Sequence, residues 1–147
     1  EIWSEDTINS SVKQIEYFWE SGYFETKDQA LKICDCLTAC IQNLERKAET
    51  ESKEANGSKN FRLFQSEIMI GNNSIIVDLN GNKLAFLSNN TFNMMSTTTP
   101  EFVEENDRWV NNLLRKSIQI SAVSEKQRNR FFRGMYDKLE QLKSRIQ

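Results

Sequence analysis

The stretch Ser124–Ile146 constrains the fold more than any other part of the chain. Phe132, Met135, Leu139, Leu142 and Ile146 recur at intervals of three, four, three and four, with Phe131 at the edge. An α-helix gathers residues so spaced onto one face, whereas a strand scatters them over both. The run opens on Ser124-Glu125-Lys126-Gln127. This is the pattern of a capping box, in which the Ser hydroxyl and the Gln side chain each satisfy a free backbone N–H. A helix with such a stripe needs a second layer to bury it against.

Two upstream helices are predicted to supply that layer. The first runs from about Asp6 to Ser21, with Ile8, Val12, Ile15 and Trp19 on one face, Phe18 and Tyr23 beside it, and Gly22 where a left-handed terminator is wanted. Tyr17 points to the opposite side. The second helix starts after Thr26, because Thr26-Lys27-Asp28-Gln29 fits another capping box. Ala30, Ile33, Leu37, Cys40, Leu44 and Ala48 form its expected stripe, with Ile41 alongside. From Lys47 the chain is charged and loses its apolar period, and it contains Asn56-Gly57-Ser58. A frayed helix end and a mobile loop over about 50–60 are expected there.

The middle of the chain reads as β structure. Asn80-Gly81 is the strongest short hairpin signal, since a type I′ turn needs φ > 0 at both central residues. A two-residue turn sets Leu79 opposite Asn82, Asp78 opposite Lys83, Val77 opposite Leu84 and Ile75 opposite Phe86. Phe61–Ile70 is expected to add a third strand, giving an antiparallel meander. Asn89–Thr99 is read as a short helix or a packed loop. Pro100 after Thr99, with Glu101, Glu104 and Glu105 close behind, starts a further helix carrying Phe102, Trp109, Val110, Leu113, Leu114 and Ile118. Few residues separate it from the helix that follows Ser124, so the two are expected to form an antiparallel pair.

The predicted fold class is therefore α+β: two N-terminal helices, a three-stranded antiparallel β-meander and a C-terminal antiparallel helix pair in one core. At 147 residues the chain is expected to be a single domain. It starts at Glu1 rather than Met, and the expectation is a domain excised from a longer protein. No apolar run approaches the ~20 residues of a membrane span, and no signal-peptide pattern opens the chain, so a cytoplasmic protein is expected.

Chemistry is limited first by the absence of histidine. The usual general acid/base near neutral pH and the usual metal ligand are both missing. Cys34, Cys36 and Cys40 fall within seven residues, but zinc takes four ligands and no imidazole is present to complete the set. Cys34 and Cys40 are read as small hydrophobes on the second helix's stripe. The acids Glu101, Glu104, Glu105 and Asp107 suit a helix N-terminus without any catalytic role. No glycine-rich phosphate loop or serine nucleophile elbow occurs. The expectation is no enzyme activity, no cofactor and no metal.

Charge is unevenly spread. Residues 1–107 hold 9 Lys/Arg against 18 Asp/Glu, whereas residues 108–147 hold 10 against 3. An acidic part and a basic part can pair within a fold, pair between copies, or steer an oppositely charged partner. Lys126, Arg130 and Arg133 project from the polar side of the last helix, although Asp137 and Glu140 share that side. Together with Tyr17 they are the expected partner-binding residues. The function expected is a non-enzymatic interaction, oligomerisation or regulatory domain, whose partner is another protein or a second copy. Two alternatives are a nucleic-acid-associated regulator using the basic helix, for which no recognition motif is present, and a small-molecule sensor with a pocket between hairpin and helices.

Overall fold

Three helices and a turn build the main core. The structure, a computed structural model, describes residues 2–53, 62–66, 73–79, 82–88 and 94–147. Strand β1 (Ile2–Ser4) leads directly into α1 (Glu5–Glu20). Ser4 caps that helix, its backbone N–H donating to Thr7 Oγ1 at 3.1 Å. Gly22 ends it in the left-handed conformation at φ 72°, with the Tyr23 N–H returning to the Phe18 carbonyl at 3.0 Å. Ile8, Val12 and Ile15 are buried, on the face that their spacing predicts, with Trp19 packed against that core.

Helix α2 (Lys27–Lys53) starts as the sequence indicates, with the Gln29 N–H donating to Thr26 Oγ1 at 3.3 Å and Gln29 Oε1 accepting from the Glu25 N–H at 2.8 Å. Two expectations for it are corrected. It does not fade at Lys47: Ala48 is fully buried and the helix continues to Lys53. Its stripe is also rotated, for the buried residues are Ala30, Cys34, Ile41, Leu44 and Ala48, while Ile33 is 43% exposed and Cys40 lies on the outside. Most of the expected mobile loop over about 50–60 lies outside the described residues.

Helix α4 (Glu125–Ile146) packs across α2 and α1. Phe132, Met135, Leu139, Leu142 and Ile146 are all buried there, and each side chain of this size contributes about 1.5–3 kcal/mol when removed from water. The Ser124 capping box forms, Gln127 Oε1 accepting from the Ser124 N–H at 3.2 Å and from its hydroxyl at 2.9 Å.

Polar ties run along the same contacts. Tyr136 donates its hydroxyl to Glu45 Oε2 at 2.7 Å, Lys143 meets Asp35 at 2.9 Å, and Arg145 meets Glu16 at 2.9 Å. Part of the charge asymmetry is thus used inside the fold. Burial, and then the Glu45 carboxylate, push the Tyr136 phenol well above its ordinary range. The bond to Asp35 raises Lys143.

The chain is mixed helix and strand, but its small sheet on the main core is not an antiparallel meander. Strand β2 (Phe64–Ser66) pairs in parallel with β1, Ile2 opposite Phe64 and Ser4 opposite Ser66. It also pairs antiparallel with β6 (Ile118–Gln119), Gln65 opposite Ile118. The order is β1-β2-β6. Leu63 explains the choice of partners: its side chain is fully buried in the main core, and its carbonyl accepts the Ile120 N–H at 2.8 Å. This pairs the segment with the N-terminal strand and with the connection ahead of α4, not with the hairpin. Strands β3 (Asn73–Leu79) and β4 (Asn82–Ser88) pair antiparallel, Leu79 opposite Asn82 and Asp78 opposite Lys83. β4 also pairs with β5 (Met94–Thr97), a segment expected to be helix or loop.

Helix α3 (Pro100–Arg115) begins at the predicted proline. The expected antiparallel pair of α3 with α4 does not form; α3 lies against β4 and β2 instead. Strand β6 and a 3-10 turn over Ile120–Ala122 occupy the connection, and Ile120 buries itself in the main core. That anchored segment separates the two helices. Val103 and Leu113 of α3 are buried outside the main cluster.

Candidate functional site

Position along α4 decides which of the expected partner-binding residues share a site. Residues 127, 130, 131, 134, 135 and 138 are spaced by three and four, so they form one strip along the helix. That strip faces the small sheet and the 3-10 turn. Between them lies a cleft of about 490 Å³. Its floor is apolar, made by Ile8, Ile120 and Met135, all buried, with Phe131 half-buried beside them. Its walls carry Ser4 and Gln65 from the sheet, Ile118 and Val123, and Gln127, Arg130 and Lys138 from α4. Among the described residues, the charged ones lining it are Arg130 and Lys138, both basic.

Gly134 lies on the same strip, in the middle of a 22-residue helix. A glycine there costs roughly 1 kcal/mol relative to alanine. Space does not require it, because nothing beyond its own helical surroundings lies within 4 Å of where a Cβ would sit. The missing side chain instead leaves a notch in the wall and brings the helix backbone within reach of whatever enters.

Of the residues singled out from the sequence, Arg130 alone lines this cleft. Lys126 and Arg133 are exposed elsewhere on α4. Tyr17 is 66% exposed on α1, its ring 6.0 Å from Phe18, which in turn packs on Tyr23 at 4.9 Å. Its neighbour Glu16 meets Arg145, about 22 Å along α4 from Arg130. The four residues therefore do not form a single site. Sequence reasoning missed Gly134, Lys138, Gln65 and Ile118. A mid-helix glycine that serves no cap was the available signal for the first. Gln65 and Ile118 reach the cleft through pairing between distant segments.

A second depression on α4 involves Asp137, Glu140, Gln141, Ser144 and Arg145. One helix supplies all of its walls and its charges are mixed, so it is a helix surface rather than an enclosure. Cys34 is buried, and burial raises its thiol pKa. That disfavours the reactive thiolate. Cys36 and Cys40 are exposed, which corrects the placing of Cys40 on the core stripe. Among the described residues no group of three or more Cys, Asp and Glu is arranged to hold a metal ion, and no helix is long and apolar enough to cross a membrane. No protein-family model matches the chain, and the comparisons with curated proteins and with solved structures return no similar one.

Proposed function

We propose that the protein is a non-catalytic recognition domain whose α4 cleft takes an acidic segment of a partner protein, anchored by an apolar side chain. One observation carries this reading: an apolar floor of Ile8, Ile120 and Met135 lies beneath walls whose charges among the described residues, Arg130 and Lys138, share one sign. An apolar anchor leaves water on the floor, while a carboxylate beside it meets the guanidinium of Arg130. The cleft volume suits an anchor of one or two side chains rather than a long groove.

Panning of random phage-displayed peptides on the wild-type protein tests this. Selected peptides are expected to pair an apolar residue with Asp or Glu. They should bind at least about tenfold more weakly to Gly134→Leu, which fills the notch, and to Arg130→Glu, which reverses the charge. Peptides without acidic residues, or equal binding to both variants, would contradict the reading. A nucleic-acid-binding regulator would instead show salt-sensitive oligonucleotide binding lost in Arg130→Glu with Arg133→Glu.

A further inference from the structure

Helix α3 presents an apolar flank that the described residues of its own chain leave open. Its inward residues Val103 and Leu113 are buried, yet Phe102 and Trp109, seven residues apart and so on one face, are 47% and 43% exposed. Large aromatics left in water at this spacing are a seam without a cover. The charges along the helix indicate what covers it. Glu101, Glu104, Glu105 and Asp107 occupy its first half, whereas Arg108, Arg115 and the C-capping Lys116 follow. An antiparallel copy of the same helix presents the opposite order at every point.

We infer that α3 pairs with α3 of a second copy of this chain about a two-fold axis near Trp109. In this arrangement the two Trp109 rings meet at the centre. Phe102 lies over the aliphatic stem of Lys116 of the second copy, and Glu105, which pairs with Arg108 of its own helix at 2.7 Å, approaches the same ammonium group. Every contact occurs twice, as an isologous interface requires. The helix dipoles oppose each other as well, and the acidic and basic halves are matched. A parallel arrangement sets acid against acid and is disfavoured. The pairing uses no residue of the α4 cleft, so each copy keeps its docking site.

Sedimentation equilibrium across a concentration and salt series tests the pairing, with far-UV circular dichroism confirming that each variant is folded. The wild-type chain should show a dimer that strengthens with concentration and weakens with salt. Trp109→Ser should raise the dissociation constant about tenfold or more. Glu105→Lys and Lys116→Glu should each weaken the dimer, and the two changes in one chain should restore it, because the swapped charges meet again across the two-fold axis. A chain that stays monomeric throughout would overturn the inference. So would a dimer indifferent to Trp109→Ser, or a doubly charge-swapped chain no tighter than the single variants.

Discussion

Gly134 lies where the demands of folding and of recognition diverge. It sits mid-helix with open space around its missing Cβ, so Gly134→Ala is expected to stabilise the protein by about 0.5–1 kcal/mol through helix propensity alone. The same methyl group projects into the notch and is expected to weaken peptide docking. Chemical denaturation and peptide titration on one variant read the two effects separately. A variant that gains stability and binds unchanged would remove the glycine from the site. Arg128 makes a different demand. It is 7% exposed on the core stripe of α4, and its Nε finds no hydrogen-bond partner among the described residues. A buried donor left unsatisfied costs about 1–3 kcal/mol, a cost that an apolar side chain of similar length does not carry. Arg128→Met is therefore expected to raise the urea midpoint, and a lowered midpoint would show that the guanidinium is stabilising where it lies.

Element phase is the next thing mutation can test. If α2 buries Cys34 and Ile41 rather than Ile33 and Cys40, Ile41→Ala should cost about 2–5 kcal/mol as a core cavity. Ile33→Ala should cost well under about 1 kcal/mol as a surface change. Similar losses at the two positions would reverse the rotation. The sequence left this phase open because Ile33-Cys34 and Cys40-Ile41 are adjacent apolar pairs, and adjacent residues on a helix lie about 100° apart. Helices α1 and α4 had no such ambiguity: their stripes, the Gly22 terminator and the Ser124 cap were legible, whereas the Ser4 cap of α1 was not. The sheet β1-β2-β6 was not, because two- and three-residue strands carry too short a pattern to announce themselves. Its pairing joins Trp3, Gln65 and Ile118 through contacts that no local window contains. The same limit hid the cleft, of which only the α4 wall, through Arg130, could be anticipated.

For the molecule as a whole, charge and burial combine where α4 meets α2 and α1. Tyr136 and Lys143 both have folded pKa values raised above their unfolded ones, near 10 for both types. A raised value means that the protonated form is favoured in the fold. The stabilisation is then complete below about pH 10 and is lost as pH climbs further. Thermal unfolding followed from pH 8 to 11 should show this alkaline loss, and Tyr136→Phe should flatten it. A steeper loss in the variant would contradict the account. The cleft beneath Arg130 and Lys138 is where basic side chains of α4 meet an apolar surface. The most direct test is an NMR titration of the labelled protein with an acidic, apolar-anchored peptide from the selection. Amide shifts are expected to concentrate at Ser4, Gln65, Ile120 and residues 127–138. Shifts confined to the Tyr17–Tyr23 corner or to α3 would contradict the cleft as the docking site.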